Sequence, residues 1–412
     1  MQLLELAWRS LLNRKVSVSL ALLSITFSVA VVIGVEHIRS QTRENFNRTI
    51  SGVDLVVGAR TSQLNLLLYA IFRIGNATNN VSEASYERIK SDPRVAWSIP
   101  LVLGDSHQGY RVLGTNTDFF VHMRVGQALA LTLREGSIFS DDNTVVLGSE
   151  VARRLGYQIG SELAIAHGLI STSFSLHQGA SFVVAGILQP TGTPIDQTIH
   201  VSLNALARLH DSPHLARGQQ THEEHDDMPE SITAFLLGLH DRSAVFALQR
   251  DINEYGTEAL TAIIPGVALA ELWQSIAGIE QVLALVSAVV MLAALLGLAT
   301  MLLASMHERR REIALYRALG AHASTILLLV ELEALLLSIT GVLAGFLIVF
   351  LTLRAGQEAL LDNYGLMIDT LPLNHATARF VVAILLAALV IGLLPAIAAY
   401  RASLASGLRQ HS

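Results

Sequence analysis

Glu308-Arg309-Arg310-Arg311-Glu312-Ile313-Ala314-Leu315-Tyr316-Arg317-Ala318-Leu319-Gly320-Ala321 lies between two long apolar runs, so it reads as a short connection between two membrane spans. Its arginines, Arg309, Arg310, Arg311 and Arg317, place that connection on the cytoplasmic side, because positive charge is retained there. Ile313, Tyr316 and Leu319 recur at helical spacing, Arg310 and Arg317 fall on another face, and Gly320 is placed to end the helix. An amphipathic helix at the inner membrane surface has two readings. It can anchor on anionic headgroups, or it can be a docking handle for a cytoplasmic partner.

The rest of the chain extends the membrane reading outward in both directions. Of 412 residues, 51% are hydrophobic and only 15% charged, the balance of a membrane protein. The formal charge of −6 gives no reason to invoke nucleic acid. With no cysteine, disulfides, thiolate metal sites and cysteine nucleophiles are excluded. The lysines are Lys15 and Lys90, and neither follows a glycine, so the chain has no P-loop. If ATP drives this protein, another polypeptide binds the ATP.

Toward the C-terminus, spans are expected at about Ser324–Leu353 and Phe380–Tyr400, and before the basic segment at Ile279–Met306. A first span is expected over Val16–Val35, after Arg9, Arg14 and Lys15; its twenty residues are too long for a signal-peptide core. Arg401 and Arg409 close the chain inside, whereas the short outer connection carries Arg354 and Arg379. Four spans therefore agree with the positive-inside rule, with both termini in the cytoplasm. The third span holds Gly341 and Gly345, a pair that lets a neighbouring helix approach closely. It also holds Glu331 and Glu333, which lie about 200° apart on a helix and cannot share one face. Carboxylates at such depth read as interhelical packing or as proton or ion relay.

No run between Glu36 and Gly278 is apolar and long enough to span. This stretch is expected to be a folded extracytoplasmic domain, entered by helix over Glu36–Ile50 and left by helix over Leu269–Gly278. Asp54–Val57, Thr144–Leu147, Ser181–Leu188 and Ile232–Leu237 read as strands. Val81–Ser91, Glu150–Leu155, Ser202–His210 and Ser243–Tyr255 read as helices, with caps at Ser82 and Ser202. The fold class is thus membrane α-helical, four transmembrane helices with a large α+β domain inserted between spans 1 and 2. The divisions are 1–35 for the cytoplasmic entry and first span, 36–278 for the domain, and 279–412 for the remaining spans, with 308–321 as the coupling segment.

Glu308–Ala321 resembles the E-R-R/T-R-E-I-x-x-x-R-A-L-G-A signature of the FtsX/MacB-like (type VII) ABC-transporter permeases, whose members include the lipoprotein-releasing LolC and LolE. Ala7–Lys15 is similar to the amphipathic entry of that family. Glu333-Ala334 is similar to a glutamate-alanine pair in its third span, which implies interhelical packing for Glu333. Gly52–Ala59 (GVDLVVGA), Gly104–Tyr110 (GDSHQGY), His167-Gly168, Leu188–Asp196 (LQPTGTPID) and Ile264–Trp273 (IPGVALAELW) resemble one subgroup of it. The resemblance implies a MacB-like periplasmic core with a membrane-proximal α/β part and a distal β-rich lobe near residues 100–229. It implies that Glu308, Arg309, Arg310, Arg311, Glu312, Tyr316, Arg317 and Gly320 couple the chain to an ATPase. It also implies the partners: two ABC ATPase subunits carrying ATP and Mg, and a second permease copy or homologue. The setting it implies is the bacterial inner membrane.

The chain carries no G-x-S-x-G, H-E-x-x-H or dinucleotide fingerprint, so enzymatic activity of its own is not expected. One polar run stands out: His222, Glu223, Glu224, His225, Asp226 and Asp227 offer imidazole and carboxylate donors that suit zinc. A solvated acidic loop with adventitious metal affinity is the rival reading. His210 and His214 could supply further ligands, and His107 and His167 could be structural. The subgroup occurs beside secreted His-rich proteins under zinc regulation, which implies a zinc-linked role and a His-rich or other periplasmic binding protein as partner. The leading expectation is a permease subunit that transmits force across the membrane, in lipoprotein or small-molecule export or in zinc acquisition. The alternative is an FtsX-like regulator that activates an extracytoplasmic enzyme and transports nothing. A channel-forming importer would need a polar path that these spans do not show.

Overall fold

A computed structural model describes the chain except residues 1–4, 6, 9–10, 12–13, 50–51, 127–128, 140, 168–175, 209–228, 230, 309–314, 316–319, 365–367, 374 and 409–412. The chain enters through α1 (Lys15–Arg48) and passes β1 (Leu55–Ala59), α2 (Gln63–Ala70), β2 (Val81–Ser82), α3 (Glu83–Lys90), β3 (Val95–His107) and β4 (Tyr110–Thr115). Then come α4 (Asp118–His122), β5 (Arg124–Val125), β6 (Leu129–Ala130), β7 (Leu133–Gly136), β8 (Thr144–Leu147), α5 (Ser149–Leu155), β9 (Glu162–His167), β10 (Leu176–Leu188) and β11 (Thr198–Ser202). It continues through β12 (Ser231–Ile232), β13 (Ala234–Leu239), α6 (Val245–Asn253) and β14 (Leu260–Ile263). It ends with α7 (Pro265–Glu308), α8 (Ala323–Tyr364) and α9 (His375–Leu408). Two compact units result. One comprises Met1–Gln41, Ala277–Gln357 and Ile368–Ser412, the other Thr42–Ile276 and Glu358–Met367.

The second unit is built on one sheet in the order β14-β1-β13-β3-β4-β11-β8-β10-β7, with β9 pairing β10 and β3. The long strand β3 is shared: its first half pairs β13 up to Leu101↔Ala234, and from Val102 onward it pairs β4. The β3–β4 hairpin closes on Gln108 (φ 49°) and Gly109 (φ 86°), left-handed at both positions as a type I′ turn requires. Local chemistry sets the helix ends: Ser62 Oγ accepts from Asn65 N–H, Ser82 Oγ accepts from Ser85 N–H, and Gly156 (φ 70°) stops α5. The edge strand β14 is closed from the side by α6. Asn253 Oδ1 accepts from the Ala262 N–H at 2.7 Å, and Gln249 Nε2 donates to the Ala262 carbonyl at 3.0 Å.

Three apolar cores hold this unit. The first joins α2, α4 and the start of α7 through Leu66, Leu67, Phe119, Phe120, Ala268 and Leu269. The second lies on the opposite face of β4, β8 and β11, around Val112, Val145 and Val201, and the third packs α3 and α6 on β1 and β13. Phe46, near the end of α1, meets Trp273 of α7 edge-on at 5.6 Å, and Arg43 stands over the same indole.

In the first unit, four helices are long and apolar enough to cross a membrane, within Lys15–Arg48, Pro265–Ala304, Ser324–Gln357 and Thr377–Leu394. The fold class read from sequence is the one observed. Particular elements differ. Val81–Ser91 divides into β2 and α3, because Val81 and Ser82 pair with β12 and the Ser82 N–H donates to the Glu258 carboxylate at 3.1 Å, while its side chain caps the helix. The β3–β4 hairpin, β9, β11 and β14 escape the sequence reading, as does α2. The helix of the second span begins at Pro265 rather than near Leu269, since proline is favoured at a first helical position.

Candidate functional site

The basic segment starts where α7 ends, at Glu308. Arg309, Arg310, Arg311, Glu312, Tyr316 and Arg317, assigned above to ATPase coupling, lie outside the described residues. Leu315 is helical and exposed. Gly320 adopts φ +92°, a conformation that side chains other than glycine rarely take, and α8 begins three residues later.

Within the span unit, Gly341 and Gly345 face α1. A Cβ at Gly341 would stand 2.5 Å from Ile25 Cγ2, and one at Gly345 would stand 2.8 Å from Val29 Cγ1 and 2.9 Å from the Thr26 carbonyl. Glu333 is 1% exposed. Glu331 meets α9: a Cβ at Gly392 would come 3.1 Å from both Glu331 Oε2 and Ala334 Cβ. Both oxygens of Glu331 are sealed from solvent and lack a hydrogen-bond partner among the described residues.

Sequence reasoning missed a charged girdle at the outer end of this unit. Arg39 binds Glu36 through two nitrogens, at 2.8 and 3.0 Å, and reaches Glu280 Oε2 of α7 at 3.4 Å. His37 Nε2–H donates to the Asp369 carbonyl at 2.6 Å, tying α1 to the connection between α8 and α9. A cavity of about 440 Å³ lies beneath, lined by Val32, Glu36, Leu283, Met291, Phe380 and Ile384 among others. The available signal was the placement of Glu36 and Glu280 at the ends of apolar runs, but no spacing rule links residues so far apart in sequence.

In the domain, the phrases singled out above are joints of the fold. Asp54 Oδ2 accepts from Leu239 N–H at 2.9 Å, and an added Cβ at Gly58 would come 2.5 Å from Tyr69 Oη. Asp196 is buried and accepts from the Thr191 and Gly192 amides at 2.9 and 2.7 Å, clasping its own turn. Burial pushes its carboxyl above the usual range, against the opposing pull of those hydrogen bonds. His107 Nδ1–H donates to the Ala164 carbonyl, and Nε2 accepts from Tyr157 Oη at 2.9 Å; burial holds its pKa below the ordinary value. His167 ends β9 in register with Asp105. His222, Glu223, Glu224, His225, Asp226 and Asp227 lie outside the described residues, as do His210 and His214. Among the described residues no group of three or more His, Asp or Glu could hold a metal.

Comparison with known proteins gives the chain its family. The MacB-like periplasmic core domain matches residues 18–255, and the FtsX-like permease C-terminal region matches residues 284–406. Among solved structures, the extracellular domain of the noncanonic ABC-type transporter YknZ from Gram-positive bacteria is similar at 11% identity and a TM-score of 0.31. That match covers 51% of this chain and 99% of YknZ's. The periplasmic region of MacB from Actinobacillus actinomycetemcomitans is similar at 10% identity and a TM-score of 0.35, covering 56% of this chain and 96% of its own. A comparison with curated protein sequences finds no match. With one family region covering more than half of the chain and the other most of its last three spans, this membrane protein with an extracytoplasmic domain belongs to the MacB/FtsX-like ABC-transporter permeases.

Proposed function

We propose that this chain is the transmembrane subunit of an ATP-driven complex in the inner membrane, coupling hydrolysis in two separate ATPase subunits to motion of its extracytoplasmic domain. The observation that supports it best is α7. This helix runs unbroken from Pro265, directly after β14, to Glu308, the first residue of the basic segment. Its 44 residues correspond to about 66 Å at 1.5 Å per residue. Its only proline is at the first position, so the usual cause of a kink is missing from its interior. Ala268 and Leu269 are buried in the domain core, which fixes that end of the rod.

A push on the basic segment by the ATPase would therefore have one continuous helix by which to reach the domain. A second copy of the permease would let two such domains open and close together and perform work on an extracytoplasmic substrate or partner. Arg310→Glu/Arg317→Glu should reduce ATPase co-purification and coupled turnover, leaving the isolated ATPase unaffected. Ile279→Pro, at an exposed position inside α7, should retain the ATPase yet abolish the ATP-dependent change in distance between spin labels on two domains. Normal association and turnover in the double reversal would leave only headgroup anchoring. A distance change that survives Ile279→Pro would refute the rod.

A further inference from the structure

Most arginines of the domain meet an acid or a ring. Arg94 binds Asp92 and Asp251, Arg153 and Arg154 bind Glu150, Arg242 binds Asp54, and Arg43 covers Trp273. Arg60 and Arg124 donate to carbonyls instead, and so do Arg73 and Arg111, but the last two share one loop. They come from distant parts of the sequence and hold the same loop. Arg111, on β4, donates to the Gly75 carbonyl at 2.7 Å and to Asn76 Oδ1 at 3.1 Å. Arg73, two residues before Gly75, donates to the Ala70 carbonyl at the end of α2. Neither forms an ion pair with Asp or Glu among the described residues, and both are half-buried.

The backbone at this point is also unusual. Arg73 has φ +59°, a left-handed conformation that a non-glycine residue adopts only at a cost and that recurs at binding sites. The pair is electrically uncompensated: burial first, and then the charge of Arg111, push Arg73 down to about 9. Burial likewise lowers Arg111. The charge of Arg73 also reaches His200, on the same face of the sheet as Arg111, since Thr198 pairs Arg111 and His200 pairs Leu113. His200 Nε2 is buried and has no partner among the described residues.

Two guanidinium groups on one loop, Arg73 at Ala70 and Arg111 at Gly75 and Asn76, without an acidic partner among the described residues are favourable sites for a ligand that supplies negative charge. Each offers five N–H donors, and the hydrogen bonds above use one from Arg73 and two from Arg111. A carboxylate lies in one plane and presents two oxygens, enough for two forks only when both reach it in that plane, as Arg153 and Arg154 reach Glu150. Two forks arriving from different elements suit a group with three or four oxygens around one centre. We propose that Arg73 and Arg111, with the loop at Gly75 and Asn76, form a binding site for a tetrahedral oxyanion of the phosphate class in the extracytoplasmic domain. The site is independent of the coupling role proposed above.

The test uses the full-length protein in detergent and inorganic phosphate as probe. Thermal unfolding is followed by tryptophan fluorescence in phosphate, acetate or chloride at equal pH and ionic strength. Wild type should melt roughly 5 °C higher in phosphate than in chloride at about a hundred times Kd, with little effect of acetate. Arg73→Gln should abolish the shift. Arg111→Lys keeps the charge but loses the fork, and should weaken phosphate at least tenfold while retaining a cooperative transition in chloride. An equal melting temperature in phosphate and chloride would overturn the proposal. So would an equal shift in acetate, or a full phosphate shift in Arg73→Gln or Arg111→Lys. Should Arg73→Gln fail to fold, Arg111→Lys decides alone.

Discussion

His200 makes the extracytoplasmic domain sensitive to acid in a way that can be calculated. The ring is 0% exposed, packed between Phe119 and Phe120 at centroid distances of 5.1 and 5.7 Å. Nδ1–H donates to the Val146 carbonyl at 3.2 Å, which leaves Nε2 as a buried acceptor. Burial chiefly, and then the charge of Arg73, push the pKa down to about 3 from 6.5. A depressed histidine stabilises the fold fully above the unfolded pKa and loses that contribution as pH falls toward the native one. Between pH 7 and pH 5 the unfolded chain takes up a proton at this residue and the native protein does not. Linkage at 1.36 kcal/mol per pKa unit gives a loss of about 2 kcal/mol over that interval, or about 4–8 °C in the melting midpoint of a domain this size. Because pH 5 lies above the native pKa, that figure depends on the unfolded value almost alone. The assay is urea or thermal unfolding of wild type and His200→Gln at both pH values, read from the fluorescence of Trp97 and Trp273. The variant cannot titrate, so its pH-dependent loss should be smaller than that of wild type by this amount. His107 shifts in the same direction but remains in both proteins and cancels. An identical loss in wild type and variant would refute the reasoning.

Two further pairs of substitutions test packing and edge closure. Gly345→Ala should lower the melting midpoint of the solubilised protein, because overpacking against Val29 and the immovable Thr26 carbonyl costs about 1–3 kcal/mol against a helix-propensity gain of about 1. Gly297→Ala in α7, where among the described residues no atom beyond its own helix backbone and chain neighbours lies within 4 Å of the added carbon, should raise or preserve it; equal effects at both positions would remove the close-contact argument. Asn253→Ala should cost the domain about 1–3 kcal/mol by orphaning the buried Ala262 amide, whereas Asn253→Asp keeps the acceptor and most of the stability. Equal urea midpoints for the two Asn253 variants would show that this bond does not close the edge.

Hydropathy determined the four spans of this protein from sequence alone, because span length depends on local composition and not on partners. The α+β character of the insertion was legible for the same local reason in Thr144–Leu147, Glu150–Leu155 and the Ser82 cap. Strand β3 was not: Gly104-Asp105-Ser106-His107 interrupts its apolar alternation, and pairing with β4 and β9 holds those residues extended. Tertiary structure alone brought Glu280 to the Glu36–Arg39 pair, set Gly341 and Gly345 against α1, and brought Arg73 and Arg111 to one loop. Each of these depends on which distant segment arrives at a given side chain. A sequence shows what a residue offers, but burial, and with it the cost of a charge and the state of His200, is set by the neighbours that folding supplies.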